Sequence, residues 1–130
     1  MKLLAICGSL RSDSLNLRLL SALAQCPFRD GNFDISTLHG IPLYNGDDEK
    51  ASGIPEAVVS LREAIKSSDG IILAMPEYNA SMPGVLKNAL DWLSRPPEEM
   101  GPTFFNRPLA LCGATPGGMG TALAQAGSLV

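Results

Sequence analysis

Several absences narrow the chemistry open to this chain before any motif is read. No apolar stretch approaches the roughly 20 residues a helix needs to cross a bilayer, so no membrane partner is expected. Lys and Arg never stand side by side, and the formal net charge is −3. Nothing supplies the basic stripe whose counterion release drives nucleic-acid binding, and no nucleic-acid partner is expected. The three cysteines, Cys7, Cys26 and Cys112, are odd in number and lack Cys-x-x-Cys spacing. That suits neither a disulfide framework nor a zinc site, and it points to a soluble protein of the reducing cytoplasm. The lone histidine, His39, follows a strand-like segment and reads as a solvated loop residue. With no Gly-x-Ser-x-Gly turn either, a Ser-His-Asp hydrolase is disfavoured.

The composition that remains is that of a folded domain. Of 130 residues, 45% are apolar and 18% charged, enough for one core and too few residues for two ordinary domains. Residues 1–130 therefore read as a single domain. Met1 to Cys7 resembles the start of a signal peptide, but Gly8, Ser9 and Arg11 end its apolar run too early for one.

Along the chain a unit of strand, polar turn and helix recurs. Leu3 to Cys7 is a continuous apolar run broken by Gly8, as expected of a strand covered on both faces. From Ser14 to Gln25 a helix is predicted, capped by Ser12, Asp13 or Ser14, with Leu15, Leu19, Leu20, Ala22 and Leu23 on its apolar side. Phe33 to Leu38 alternates like an edge strand, and His39 to Gly53 reads as loop. Pro55 opens a helix to about Ser67 with a stripe of Val58, Leu61 and Ile65. Gly70 to Met75 is the clearest central strand, and Pro83 opens a helix to about Leu93. A proline-rich loop, a fourth strand at Leu109 to Cys112, a glycine-rich turn and a helical segment from Thr121 follow. Such a repeat requires a parallel sheet with helices on both faces, whose ligands bind beyond the carboxyl ends of the strands.

Three polar turns lie at that end. The first offers backbone N–H groups at a helix N-terminus, the side chains of Ser9, Ser14 and Asn16, and the cation Arg11. This collection suits a doubly charged monophosphate, and it equally suits a capped helix start with a solvated arginine. No Lys follows the glycines of Gly113 to Gly120, which excludes a P-loop, and the first turn has one glycine where a dinucleotide fingerprint needs three. The second turn, Met75 to Ser81, carries Tyr78, free amides and Asn79, which suit a planar heterocycle, or else a surface loop capping the next helix through Ser81. Glycine in the third turn permits close approach of backbone to a flat ligand.

Taken together, Gly8-Ser9-Leu10-Arg11-Ser12-x-Ser14-x-Asn16 and Met75-Pro76-Glu77-Tyr78-Asn79-x-Ser81-x-Pro83-Gly84-x-Leu86-Lys87-Asn88-Ala89-x-Asp91-Trp92 resemble the NADPH-dependent FMN reductases. This flavodoxin-like group includes quinone, chromate and azo-dye reductases. The resemblance extends to Ile41-Pro42-Leu43-Tyr44 and the third turn. It implies a three-layer α/β fold with strand order 2-1-3-4 and a fifth strand to follow. It further implies that Ser9, Arg11, Ser14, Leu15 and Asn16 bind an FMN phosphate, and that Pro76, Glu77, Tyr78 and Asn79 line the isoalloxazine with Ser81 nearby. Thr115, Gly117 and Gly118 then approach from the other side. NADPH or NADH is the implied co-substrate, and a small molecule (free flavin, quinone, azo compound or chromate) the electron acceptor. A homodimer or dimer of dimers, built partly on the helix from Pro83 to Leu93, is implied too, with Lys87, Asp91 and Trp92 as interface, packing or site residues. In that strand order Cys7 and Cys112 lie about 10 Å apart, too far for a disulfide.

A flavodoxin-like sheet needs a fifth strand and a last helix, roughly 40 residues beyond Val130 at ordinary element lengths. A shortened chain, a degenerate gene product and a short protein that completes its core through a partner each account for this. The leading functional expectation is an FMN-dependent NAD(P)H oxidoreductase. A flavodoxin-type electron carrier is a second reading, disfavoured by Arg11 and by the modest charge, and a flavin-free remnant or interaction module is a third.

Overall fold

A computed structural model describes residues 1–26 and 31–128 of the chain. Four parallel strands, β1 (Lys2–Cys7), β2 (Asn32–Thr37), β3 (Gly70–Ala74) and β4 (Leu109–Cys112), form one sheet in the order β2-β1-β3-β4. The strand order is the expected one. Cys7 pairs with both Thr37 and Ala74, and Ala74 pairs with Cys112, so all four carboxyl ends finish level. The turns that leave β1, β3 and β4 therefore share one end of the sheet.

Alternation along β1 divides the core between the two faces of the sheet. Leu4 and Ile6 join Val58, Leu61, Ile65, Leu86, Trp92 and Leu93 on one face. Ala5 and Cys7 meet Leu20 and Ala74 on the other. Helices α3 (Glu56–Lys66) and α4 (Gly84–Leu93) cover the first face and α1 (Leu15–Ala24) the second, which gives the three layers. The expected stripe of α3 is buried as predicted. That of α1 is rotated: Asn16 and Leu20 are its buried residues, while Leu15 and Ala22 are exposed. The rotation arises because Asn16 is held by a distant loop, which turns Leu15 towards the strand ends.

Pro55 and Pro83 sit one residue outside their helices, as extended N-caps with ψ 143° in both cases. Their carbonyls accept the first helical bonds, from Val58 and Val59 and from Leu86 and Lys87. Two segments expected to be loop contain helices. In α2 (Gly46–Ser52), Asn45 caps the Asp47 N–H at 3.0 Å, and Asp47, Asp48 and Glu49 complement the helix dipole. Helix α2 buries no residue, so it leaves no apolar periodicity to detect. In α5 (Pro97–Phe104), Pro97 occupies a starting position where its missing N–H costs nothing, and Glu98 and Glu99 follow it. A last short helix, α6 (Ala122–Ala126), lies within the segment from Thr121 whose composition is helical. β2 is an edge strand as expected, and β4 forms the other edge among the described residues, with Leu109 56% exposed.

Trp92 anchors the loop between β2 and α2. It is 1% exposed, and its indole Nε1 donates to the Pro42 carbonyl at 2.9 Å while its ring meets Tyr44 edge to face, with centroids 4.9 Å apart. Asn88 donates to the same Pro42 carbonyl at 2.8 Å and accepts the Tyr44 N–H at 2.8 Å. The Tyr44 phenol donates to Glu49 at 2.9 Å, and that bond, with burial adding to it, raises the phenol above its ordinary pKa. Trp92 is thus a packing residue. Lys87 and Asp91 form an exposed ion pair at 2.5 Å on α4.

Candidate functional site

The turn after β1 becomes the N-terminus of α1. Of the three candidate caps Ser14 is the one used: its Oγ accepts the Leu17 N–H at 3.2 Å, and the residue is 3% exposed. The N–H groups of Leu15 and Asn16, first in the helix, have no carbonyl acceptor within it. Ser9 is buried, and its Oγ accepts the Arg11 N–H at 3.3 Å. The Arg11 guanidinium forms no ion pair among the described residues. These groups, with Leu15 and Asp13, form one wall of an open cavity of about 310 Å³. Asp13 was not anticipated there; it faces Arg18 at 3.8 Å across a well-exposed surface.

The other walls come from the second and third turns: Pro76, Glu77 and Tyr78 after β3, and Ala114, Thr115 and Pro116 after β4. Nine of the residues singled out in the sequence thus meet on one cavity. Asn79, Ser81, Gly117 and Gly118 are exposed and do not line it. Tyr78 and Ser81 exchange backbone bonds, both at 3.1 Å, around Asn79 (φ 51°) and Ala80 (φ 58°). That is a tight left-handed turn, which asparagine tolerates and alanine disfavours. It presents Tyr78, 46% exposed, beside the opening.

Two polar side chains tie the turns to one another. Asn16 Nδ2 donates to the Ala114 carbonyl at 3.1 Å, and its Oδ1 accepts the Ala114 N–H at 2.9 Å, bracing the first turn against the third. Glu77 Oε2 accepts the N–H groups of Leu123 at 2.8 Å and Ala124 at 3.0 Å, so its charge caps α6. Gly113 sets the closest approach. A Cβ there would stand 2.2 Å from Thr121 Oγ1 and 2.5 Å from the Met75 carbonyl. Gly113→Ala is accordingly expected to cost about 1–3 kcal/mol of stability through overpacking. Gly118→Ala, where nothing lies within 4 Å, should stay within about 0.5 kcal/mol of the parent. Urea midpoints of the two variants measure the difference.

Cys7 and Cys112 lie on strands separated by β3, and both are free thiols. Burial pushes the Cys112 thiol above its ordinary pKa, which suits packing and not nucleophilic attack. His39 is an exposed loop residue, as expected, and both its ring nitrogens are engaged: Nδ1 lies 3.1 Å from Thr37 Oγ1 and Nε2 lies 3.2 Å from the Leu10 carbonyl. No group of three or more potential metal ligands occurs among the described residues. Nor is any described helix long and apolar enough to cross a membrane.

Chemically, one end of this cavity joins an unpaired guanidinium, buried hydroxyls and open helical N–H groups, a set that favours a compact anion. The other end joins proline, tyrosine and backbone amides, which suit the faces and edges of a planar ring. The sequence profile common to NADPH-dependent FMN reductases matches residues 1–129. The chain belongs to the NADPH-dependent FMN reductase family.

Relatives within the family include an NAD(P)H-dependent FMN reductase of Pseudomonas aeruginosa, 47% identical over 124 residues, which span 95% of this chain and 65% of the relative. A 2-hydroxy-1,4-benzoquinone reductase of a Burkholderia species is 43% identical over 125 residues, 96% of this chain and 66% of that protein. Among solved structures, the flavoenzyme NAD(P)H:(acceptor) oxidoreductase FerB from Paracoccus denitrificans superimposes with a TM-score of 0.81 at 40% identity, covering 96% of this chain and 66% of FerB. This FMN reductase family chain thus spans just under two thirds of the length of these relatives.

Proposed function

We propose that this protein binds FMN in the cavity and uses it to pass two electrons from NAD(P)H to a small acceptor. The observation that carries this reading is the convergence, on one cavity at the carboxyl ends of β1, β3 and β4, of the unpaired Arg11 with a capped helix N-terminus and the Pro76 to Tyr78 wall. Ser9, Arg11, Ser14, Leu15 and Asn16 hold the phosphate, with the guanidinium and the helix dipole offsetting its charge. The Asn16 brace and the Ser14 cap keep that turn in shape before any ligand arrives. Pro76, Glu77 and Tyr78 flank the ring from one side and Thr115 from the other, while Asn79, Ser81, Gly117 and Gly118 stand exposed beyond the cavity wall on the same two turns. The cofactor supplies the redox chemistry, accepting hydride from the nicotinamide and returning electrons to the acceptor. The side chains supply placement and polarity.

A quinone is the acceptor class favoured by the benzoquinone reductase among the relatives; free flavin, azo compounds and chromate belong to the same reading. Free thiols at Cys7, Cys26 and Cys112 support residence in a reducing cytoplasm. A homodimer built on the flank of α4 is supported by Leu43, which is 83% exposed on the loop that Asn88 and Trp92 hold down.

Fluorescence titration of the purified protein with FMN and with riboflavin, followed by anaerobic addition of NADPH, tests the reading. Saturable FMN binding tighter than that of riboflavin, with bleaching of the bound flavin by NADPH, is expected. A folded protein that shows no preference for FMN, or whose bound flavin is not reduced, overturns it.

A further inference from the structure

We infer that His39 is a positioning residue that holds the Leu10–Arg11 peptide in the orientation from which Arg11 meets the flavin phosphate. The inference rests on the FMN reading above. The carbonyl of that peptide is 3.2 Å from His39 Nε2, and its N–H donates to Ser9 Oγ at 3.3 Å. One peptide plane is therefore gripped at both ends, by a buried serine of the turn that leaves β1 and by a side chain from the loop that follows β2. Rotation of that plane is the soft motion that would swing Arg11 away from the cavity, because Leu10 and Arg11 are both exposed and have no core packing to hold them.

The chemistry fixes how His39 does this. A carbonyl only accepts, so Nε2 must carry a proton whatever the charge of the ring. In the neutral ring Nδ1 is then an acceptor, and the Thr37 hydroxyl, 3.1 Å away at the end of β2, can donate to it and fix the ring plane. The grip on Leu10 thus persists in the neutral imidazole, and no ionisation is needed. Sequence distance hides the contact, since Leu10 and His39 are 29 residues apart.

The test is a comparison of FMN and riboflavin, which differ in the phosphate. His39→Ala is expected to lower the ratio of FMN to riboflavin affinity by about fivefold, the scale of one neutral hydrogen bond. His39→Gln, whose amide N–H can reach the same carbonyl, is expected to recover most of that ratio. A merely structural histidine would lower both affinities together and would not be rescued. Because the chain has a single histidine, one imidazole signal in the nitrogen-15 spectrum of the wild-type protein provides a second measurement. It should show Nε2 protonated at neutral pH and should move more on adding FMN than on adding riboflavin. This measurement decides the matter if His39→Ala does not fold. A wild-type protein without preference for FMN defeats the parent reading. A wild-type preference that survives unchanged in His39→Ala, or an Nδ1-protonated neutral ring, defeats this inference alone.

Discussion

Arg11→Ala weakens FMN binding by about tenfold or more and changes riboflavin binding little. The basis is charge balance. Bound as a dianion, the phosphate meets helical N–H dipoles and hydroxyls in the first turn, and Arg11 is the full positive charge among the residues lining the cavity. Asp13 and Glu77 line the cavity too, and both are negative. Glu77 is neutralised locally by its two bonds to the start of α6, and Asp13 faces Arg18. Without Arg11 the cavity lining keeps no full positive charge to meet the phosphate. A hydrogen bond to a charged group contributes roughly 1.5–3 kcal/mol, or about ten- to hundredfold in affinity. The lower part of that range applies, because Arg11 is exposed and screened by salt. Arg11→Lys should recover part of the affinity, since it keeps the charge and loses the planar fork. Flavin titrations at two salt concentrations check the expectation: the wild-type advantage should shrink as salt rises. Equal FMN affinities for wild type and Arg11→Ala at low salt place the phosphate elsewhere.

The largest effect on stability is expected from Trp92→Ala, about 3–5 kcal/mol, the range for deleting a buried aromatic ring. The indole is buried in the core that α3 and α4 share with the sheet, and it is also the post to which the Ile41 to Tyr44 loop is tied. Its loss opens a cavity and removes the edge-on contact with Tyr44. Pro42 is not orphaned, because Asn88 donates to the same carbonyl. Trp92→Phe should therefore cost much less, on the order of 1 kcal/mol for the lost hydrogen bond beyond any change in packing. Urea denaturation followed by circular dichroism checks both variants, since the protein has one tryptophan and loses its intrinsic probe on mutation. A midpoint for Trp92→Ala close to that of Trp92→Phe would show that the ring contributes little beyond its N–H.

How much of this was legible in the residues follows from the range of each interaction. The strands could be read because burial on both faces writes itself as an unbroken apolar run, as in Leu3 to Cys7 and Gly70 to Met75. Helix α3 could be read because Val58, Leu61 and Ile65 repeat at helical spacing. Helices α2 and α5 could not. One buries nothing, the other begins in a proline-rich stretch, and both depend on caps and dipoles that leave only a faint mark on composition. The rotation of α1 escaped for a related reason. Leu15 and Ala22 looked like core by spacing, while the buried position went to a polar residue, Asn16, whose partner is 98 residues away.

By itself the sequence determined the class of sheet, its strand order through the family it resembles, and the three turns whose residues bear the chemistry. These are local properties: strand periodicity, a capping serine, a cation beside a helix start. Only the tertiary structure decided that nine of the selected residues share one cavity and that Asn79, Ser81, Gly117 and Gly118 stand off its wall. It also assigned Asn16 and Glu77 to bracing the neighbouring turns, and it gave the exposed His39 a partner in the first turn, the Leu10 carbonyl. Those outcomes depend on hydrogen bonds between segments 29 to 98 residues apart. Such bonds form only after parallel strands have brought their carboxyl ends level, and no local pattern encodes them.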